Sequence, residues 1–474
     1  MTSQVFVVTT AFGLAAAAAA LDDQLFEDAE RRILVLGNNA TVPETTSGPA
    51  QAGGAEALLT RFDDVYDYNE LIAPQHPSLW RPRGVDLPLL QRSLSAQWSL
   101  TEDIHLVLES IHVPPALTLC RIFPDARIDV YAEGLMSYGP TRSKLPLLVT
   151  SRIERLLHLD LVPGLTPVLL TERGVRAQTI STSAFRRVVA EMGTAPPVLT
   201  SATEPVAVVL GQYLSSLGIL TAQEETELHL EMVRGAVGVG YRLLVFKPHP
   251  SAPPVLVEPL LAEAARLGVS LTVFNSPELV ETWFSCDRVG CVIGCFSTAL
   301  MTAATVYGVP AARVGTELVL ERLRPYQNSN RIPATIIDAA LPPVSQLAMS
   351  NGTVNPATAP GSQDGAELAD LTRLVQAVSY CMQPVRYPEL RPVARALLAC
   401  RFSTLRRYFK RRRLTKLDLP GRLPERRHRV PRTVRVALRR TLGPTVTNQV
   451  HRMLPHPPAA DPAVVTAAVL PARR

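Results

Sequence analysis

Short apolar runs alternate along the chain with longer segments in which apolar residues recur every three to four positions. Such runs are typical of strands buried on both faces of a parallel sheet, and the mixed segments indicate helices that bury one face. The runs predict strands over residues 5–9, 33–36, 105–108, 128–132, 168–170, 206–210, 243–247, 271–274 and 289–293. The mixed segments predict helices over residues 55–62, 184–191, 225–235, 257–267, 277–284 and 298–307.

The alternation of strands and helices predicts an α/β fold. A stretch at 193–205 that is rich in Pro, Thr and Ala interrupts the alternation once, which indicates a linker. A chain of 474 residues also exceeds the length over which one hydrophobic core usually grows. We therefore expect two Rossmann-like domains facing across a cleft, at 1–195 and 206–400, followed by a separate segment at 401–474.

The apolar run from Val5 to Leu21 has no basic residue before it and passes directly into Asp22 and Asp23. A cleaved leader would have basic residues before its apolar run. A membrane-spanning helix would need a longer apolar run, of about 20 residues. The run instead predicts a strand, a glycine-containing turn and an Ala-rich helix, and a cleaved signal peptide is the alternative interpretation. The six cysteines form no Cys-x-x-Cys pair, so we expect reduced thiols, a cytoplasmic protein and no metal site.

The segment Leu243-Leu-Val-Phe-Lys-Pro-His-Pro is the first that predicts chemistry. Its apolar residues form a buried strand that the two prolines end, so Lys247, His249 and Pro250 follow at the carboxyl edge of the sheet. Ligands of α/β sheets bind at that edge. A lysine and a histidine there can neutralise and protonate a phosphate. The alternative interpretation is an ordinary loop after a strand.

A second phosphate signal follows about 45 residues later. An apolar run ends at Gly294, and Ser297 and Thr298 then begin a predicted helix. Hydroxyl side chains and free amide groups at a helix start can hold an anion. A plain helix cap explains the same two residues if they stand in isolation, but together with the Lys-Pro-His-Pro segment they predict a phosphate site.

The third segment supplies an acid. A predicted strand at 128–132 ends at Glu133, and Gly134 permits the chain to turn away sharply. A carboxylate in this place can accept a proton from an incoming hydroxyl group. Glu133 is therefore the predicted general base.

These three segments, Ala132-Glu133-Gly134, His249-Pro250 and Ser297-Thr298, resemble the motifs of bacterial sialyltransferases, in particular the α-2,8-polysialyltransferase family. That family carries an acidic-acidic-Gly motif, a His-Pro motif and a Ser-Ser/Thr motif in this order. Ala132 stands where the family has its first acidic residue, and Glu133 keeps the position before the glycine. The resemblance extends from the first predicted strand to about residue 400.

The resemblance implies a GT-B glycosyltransferase that moves sialic acid from CMP-sialic acid to a hydroxyl group of a glycan or glycolipid, with inversion and without a metal or cofactor. The first domain would bind the acceptor and carry the base Glu133, and the second would bind the donor. His249 would stabilise or protonate the departing phosphate, which Lys247, Pro250, Ser297 and Thr298 would hold. Glu278 would bind the ribose hydroxyls, although a helix dipole also favours an acid in a first turn.

Charge is distributed unevenly along the chain. Residues 401–474 contain 19 Lys and Arg against three acids, whereas the other 400 residues carry 29 basic and 39 acidic side chains. Aromatic residues lie among the basic ones at 406–416, which suits an anionic membrane surface. A polyanionic glycan or RNA fits the charge as well, and so does a solvated segment without a ligand. We expect peripheral binding at the inner face of the plasma membrane and no specific nucleic acid.

Two other classes of protein remain compatible with the sequence. A GT-B enzyme that uses another nucleotide sugar or a keto-deoxy-octonate donor would keep the phosphate site and change the base. A non-catalytic protein that binds glycans or assembles a capsule would use the same scaffold without transfer. Binding of CMP rather than UDP separates the first class, and donor hydrolysis separates the second.

Overall fold

The computed structural model describes residues 2–132, 134–249, 257–347, 349–350, 353–354 and 365–424. The chain divides into a compact unit, Met1–Arg422, and a second unit, Leu423–Arg474. Almost all of the second unit lies outside the described residues. The compact unit contains two parallel sheets, which confirms the predicted α/β fold with two Rossmann-like halves.

The first sheet has seven parallel strands in the order β3-β2-β1-β4-β5-β6-β7. Its order reverses between the first and fourth strands, which are direct neighbours. The strands and helices of this half are β1 (Thr2–Val8), α1 (Ala11–Asp22), β2 (Arg31–Leu36), α2 (Ala55–Leu59), β3 (Asp64–Asp67), α3 (Tyr68–Ile72), α4 (Leu87–Gln97), β4 (Asp103–Glu109), α5 (Ala116–Ile122), β5 (Arg127–Ala132), α6 (Leu147–Thr150), β6 (Ile153–Leu159), β7 (Arg176–Ile180) and α7 (Thr182–Met192).

The second sheet has five parallel strands in the order β10-β9-β8-β11-β12. Its order reverses between the eighth and eleventh strands. The elements of this half are α8 (Pro197–Thr200), β8 (Val206–Leu210), α9 (Ala222–Val239), β9 (Leu243–Lys247), α10 (Val257–Arg266), β10 (Ser270–Val273), β11 (Val289–Gly294), α11 (Thr298–Met301) and β12 (Ala311–Arg313).

The remaining described elements follow the second sheet along the chain. They are α12 (Thr316–Arg322), α13 (Arg331–Ala340), the short antiparallel pair β13 (Met349–Ser350) and β14 (Thr353–Val354), α14 (Gly365–Met382), α15 (Arg391–Leu405) and α16 (Arg411–Lys416). No helix in the described ranges combines the length and hydropathy that a membrane crossing requires.

The start of the chain folds as its apolar pattern predicts. The side chains of β1 from Val5 to Val8 are fully buried, and α1 buries every alanine from Ala15 to Ala20. Methyl side chains let this helix pack closely between the sheet and α7. Thr10 caps the helix by accepting a hydrogen bond from the amide of Gly13.

Eight of the nine predicted strands are present, and the ninth, at 168–170, is wrong. This apolar stretch is a buried turn, in which Leu169 donates to the Ser137 carbonyl and Leu170 has a φ of 63°. The predicted helix at 277–284 is only a 3-10 turn, Val280–Trp283, because the chain bends at Pro277 and Glu278 and Leu279 is extended before the turn.

Four strands of the two parallel sheets were not predicted, and neither was the short pair β13 and β14. Charged side chains interrupt β6, while β3 and β7 lie at the two edges of the sheet and have few buried residues. The strand β12 has only three residues. The domain boundaries at 195, 206 and 400 stay predictions; the stretch 193–205 joins α7 to β8 and contains α8.

Residues just after 400 are anchored in the core of the compact unit. Tyr408 is 2% exposed, and its hydroxyl group donates to Asp338 Oδ2 over 2.7 Å. Arg407 Nε lies 2.7 Å from the same oxygen, and Arg313 pairs with the other one over 2.8 Å. Two arginines thus neutralise a fully buried carboxylate and a tyrosine donates a hydrogen bond to it, as burial of a charge requires.

Candidate active site

The carboxyl ends of both sheets face one cavity of about 770 Å³. The loops after β1, β4 and β5 line it from the first half, and those after β8, β9 and β11 line it from the second. Both reversals of strand order lie at this edge, where open α/β sheets bind their ligands. Five predicted site residues line the cavity: Lys247, His249, Glu278, Ser297 and Thr298. The other two, Glu133 and Pro250, lie outside the described residues.

The glycine after the predicted base packs directly on the Ser-Thr segment of the other half. Gly134 has a φ of 61°, and a methyl group placed on it would lie 2.4 Å from Thr298 Oγ1. The amide of Leu135 points at the same hydroxyl oxygen over 3.4 Å. The structure therefore brings the carboxyl end of β5 and the start of α11 together.

Ser297 caps α11 by accepting a hydrogen bond from the amide of Ala299 over 3.3 Å. The helix continues as a π-helical turn, Thr302–Tyr307, whose first hydroxyl donates to the Thr298 carbonyl. Ser297 and Thr298 thus follow the strand at which the second sheet reverses, and both line the cavity. Hydroxyl groups and free amides in this position can accept an anion.

Lys247 ends β9 and is almost fully buried. Its ammonium group donates to the Ser276 carbonyl over 2.8 Å and lies 5.2 Å from the centre of the Trp283 ring. Burial lowers the pKa of Lys247 to about 8, although the nearby Glu278 and Glu281 act in the opposite direction. The side chain is therefore mostly charged at neutral pH and loses its proton in mildly alkaline solution.

His249 stacks on Tyr213, with ring centres 4.0 Å apart and an angle of 28° between the planes. Burial, and after it the charge of Lys247, lower the pKa of His249 to about 4. At neutral pH its imidazole is uncharged and offers one N–H donor. An anion bound in the cavity would favour the protonated form.

The loop that carries Tyr213 is fixed by the first half of α9. The amide of Gln212 donates to His229 Nε2 over 2.9 Å, and the amide of Leu214 donates to Glu225 Oε1 over 2.5 Å. Both acceptors are buried. The surface on which His249 stacks is therefore held by hydrogen bonds inside its own half.

Glu278 packs against the first half, since a methyl group on Gly53 would lie 2.8 Å from its Cγ atom. Its Oε2 atom is buried and accepts no hydrogen bond from the described residues. A buried carboxylate oxygen without a donor is costly, so this atom is suited to a donor from a ligand.

Sequence reasoning missed two acids at this edge. Glu281 is buried in the cavity wall, and burial raises its pKa to about 7. Its neighbours Val280 and Trp283 are also buried. An acidic residue within this apolar stretch was therefore the feature of the sequence that could have indicated Glu281. Glu109 ends β4, one residue after the predicted strand end, so the strand pattern located it only approximately.

Glu109 fills the start of α1. Its carboxylate accepts hydrogen bonds from the backbone amides of Thr9 and Thr10 and from both hydroxyl groups. A methyl group on Gly13 would lie 2.3 Å from its Oε1 atom, so a larger residue there would force the carboxylate to move. The helix start of the first half is thus occupied by a carboxylate of the protein.

Solved structures resemble the chain weakly over most of its length. A UDP-glucosyltransferase from Polygonum tinctorium aligns at 12% identity, 83% of this chain, 98% of the other and a TM-score of 0.40. A transferase from Siraitia grosvenorii in complex with UDP is 11% identical, aligns with 83% of this chain and 100% of its own, and has a TM-score of 0.38. A glycosyltransferase from Rickettsia africae is 10% identical, aligns with 85% of this chain and 98% of its own, and has a TM-score of 0.37. Similarity at this level carries no information about the substrate.

Sequence comparison is more specific. No curated protein matches the chain, but a family model described as alpha-2,8-polysialyltransferase (POLYST) matches residues 4–316. The matched range runs from β1 into α12 and includes both sheets and all three motifs. The chain therefore belongs to the α-2,8-polysialyltransferase family and is a glycosyltransferase with two Rossmann-like halves in the GT-B arrangement.

Proposed function

We propose that the protein transfers sialic acid from CMP-sialic acid to a glycan hydroxyl group, with inversion and without a metal ion. One observation carries the proposal: Gly134, the residue after Glu133, packs on Thr298 at the edge of a cavity that Lys247 and His249 also line. This contact supports a base and a phosphate site on opposite walls of one cleft.

The second half would bind the donor. Its single phosphate would lie against Ser297, Thr298 and Lys247, whose donors and charge offset the negative charge of the departing CMP. His249 would donate a hydrogen bond or a proton to the phosphate as the bond to the sugar breaks. Glu278 would accept hydrogen bonds from the ribose hydroxyls, for which its Oε2 atom is suited because no described residue donates to it.

The first half would activate the acceptor. Glu133 would take the proton of the attacking hydroxyl group while the anomeric carbon develops oxocarbenium-like charge. Attack from the wall opposite the phosphate inverts the configuration at that carbon. The protons balance, because the acceptor hydroxyl loses one to Glu133 as CMP leaves with the bonding electrons.

Replacement of the base tests the proposal. Glu133→Gln should lower the transfer rate by about a hundredfold or more, which is the usual effect of losing a general base, and should leave CMP affinity unchanged. His249→Ala and the double change Ser297→Ala with Thr298→Ala should weaken CMP binding as well. Glu154→Gln, an exposed acid on β6, is the matched control and should retain full activity.

Calorimetry with CMP and UDP in the presence of EDTA separates the donor classes. We expect CMP to bind and UDP to bind at least tenfold more weakly. Tighter binding of UDP, or binding that needs magnesium or manganese, would favour a different nucleotide sugar. Full transfer by Glu133→Gln would assign the base to another acid.

A further inference from the structure

The first half exposes a group of large apolar side chains away from its core. Six such side chains among the described residues are 71–90% exposed, and five of these lie in two segments, 79–92 and 144–152. The five are Leu79, Val85 and Leu89 in the first segment and Leu147 and Leu148 in the second. Single exposed leucines are ordinary, whereas several on one surface indicate a site of interaction.

Both segments belong to one layer of helices. The helices α4, α5 and α6 bury Leu94, Leu119 and Val149 in one hydrophobic cluster on a single face of the first sheet, while α1 and α7 pack on the other face. The residues of β1 alternate accordingly, since Val7 belongs to the first cluster and Val8 to the second. A layer that packs on one face of a sheet turns its opposite side outward, so the exposed side chains of both segments point away from the sheet.

The short helix α5 lies between the two segments. The Thr118 hydroxyl group on α5 donates to the Trp80 carbonyl over 3.2 Å. Arg152 donates to the Cys120 carbonyl, further along α5, over 2.7 Å and to the Leu148 carbonyl over 2.8 Å. Since α5 has seven residues and is therefore about 10 Å long, the two segments flank it on one surface, which we call the α4–α6 face.

Basic side chains are interspersed with the apolar ones on the α4–α6 face. Residues 79–92, 116–125 and 144–152 contain six basic residues and two acidic ones, and one of these acids, Asp86, pairs with Arg83 over 2.7 Å. The basic residues are Arg81, Arg83, Arg92, Arg121, Lys144 and Arg152. Charged residues are depleted in the apolar centre of protein–protein interfaces. Alternation of basic and apolar side chains instead suits a lipid surface with anionic headgroups.

The first segment begins close to the rim of the cleft. His76, three residues before Leu79, places its Nε2 atom 2.8 Å from the carbonyl oxygen of Ala40, which lines the cavity. None of the five exposed apolar side chains lines the cavity itself. A ligand of the α4–α6 face therefore lies beside the cleft without occupying it.

We infer that the α4–α6 face binds an anionic lipid bilayer. Its five exposed apolar side chains insert between the lipid headgroups, and its basic side chains contact the lipid phosphates. This contact holds the rim of the cleft at the lipid surface. The inference goes beyond the proposed function, which concerns the cavity, and it adds burial of apolar surface to any attraction by the basic C-terminal residues.

Co-sedimentation with vesicles of phosphatidylglycerol and phosphatidylcholine in equal parts tests the inference on the full chain. In about 0.5 M salt the Debye length falls to about 4 Å, so attraction by exposed charges is largely screened and apolar insertion remains. We expect the unaltered protein to sediment with the vesicles at this salt concentration. Leu147→Ser combined with Leu148→Ser should lower the partition coefficient about tenfold, because two apolar side chains no longer leave water.

Leu261→Ser is the matched control, because Leu261 is an exposed leucine on α10 in the second half. It should leave the partition coefficient unchanged. The serine variants should keep the melting temperature and CMP affinity of the unaltered protein, since the altered side chains are exposed and lie outside the cavity. Leu148→Trp gives an independent measurement: its fluorescence should shift to shorter wavelength when vesicles are added, and that of Leu261→Trp should not.

Failure of the unaltered protein to sediment in high salt, or equal sedimentation of the double serine variant, would overturn the inference. Light scattering that shows a dimer for the unaltered protein and a monomer for this variant would also overturn it, because the face would then belong to a second copy of the chain. None of these outcomes involves CMP binding, so the proposed function is tested separately.

Discussion

The charged side chains in the cleft differ in how many of their hydrogen bonds come from the protein itself. Lys247 donates to a carbonyl and lies over the Trp283 ring, whereas Glu278 keeps one carboxylate oxygen without a donor from the described residues. Glu281 is buried nearby and has a raised pKa. Donor binding would therefore be sensitive to the protonation of a few groups that titrate near neutral pH.

The pKa of Lys247 predicts how CMP affinity depends on pH. Below pH 8 the free side chain is already protonated, so binding needs no proton; above it, the amine must first gain one, and each pH unit costs up to about tenfold in affinity. CMP is already a dianion above pH 7. We expect calorimetry to show affinity falling by up to about thirtyfold between pH 7 and 9.5.

Lys247→Met is the control for this pH dependence. Its CMP affinity should be weaker throughout and nearly constant from pH 8 to 9.5. Ionisation of Glu281, whose pKa is about 7, adds repulsion in the same direction but at lower pH. A fall above pH 8 that is as steep in Lys247→Met as in the unaltered protein would show that another group controls it.

At the scale of elements, the contact between the end of β5 and the start of α11 joins the two halves of the site. Gly134 can approach Thr298 because it has no side chain and because glycine adopts a positive φ without strain. The 3-10 turn that follows, Gly134–Tyr138, then leads into the loop that carries Arg142.

Gly134→Ala should separate these two elements. The added methyl group meets Thr298 Oγ1, so we expect the transfer rate to fall at least tenfold, since small displacements of reacting groups have large effects. Gly174→Ala is matched, because Gly174 also has a positive φ, 73°, but no atom lies within 4 Å of its added methyl group. Backbone strain should cost each variant about 1–2 kcal/mol of stability, and the clash should cost Gly134→Ala more than that in thermal unfolding.

Transfer by Gly134→Ala at the rate of Gly174→Ala would contradict a functional role for the contact. The comparison isolates the clash from the backbone strain, because both variants share the strain and only one has the clash.

The sequence predicts the elements that local patterns determine. Buried strands such as β8 and β9 appear as apolar runs, and the ends of β9 and β11 could be predicted because Pro248 and Gly294 mark them. The edge strands of the first sheet, β3 and β7, could not, since most of their residues are partly or fully exposed and form no apolar run. The position of the loop at Thr141 and Arg142 also had no local signal, because residues more than 240 positions away along the chain hold its backbone.

At the scale of the whole molecule, the basic C-terminal region has two parts. Residues up to Arg422 belong to the compact unit, where Tyr408 and Phe409 are buried. Residues 425–474 lie outside the described ranges and contain ten arginines against two acids. A deletion that tests membrane binding should therefore start at 425 rather than at 401.

Deletion of 425–474 should weaken salt-sensitive binding to anionic vesicles and leave CMP binding intact. Each basic residue near such a surface contributes on the order of 1 kcal/mol, so a fraction of the ten is sufficient. Co-sedimentation with phosphatidylserine vesicles at low and high salt measures the effect. Replacing Arg426, Arg427, Arg429 and Arg432 by Lys should preserve binding, and replacing them by Gln should weaken it. Equal sedimentation of full and shortened chains would exclude the role.

The carboxylate of Glu109 makes the two halves of the molecule unequal in their ability to bind a phosphate. Both halves have a parallel sheet whose order reverses at the cleft, but in the first half Glu109 already accepts the hydrogen bonds of Thr9 and Thr10 at the start of α1. A phosphate there would meet a negative charge instead of free amides. One chain should therefore bind one nucleotide, and under the proposed function the first half would be left to the acceptor.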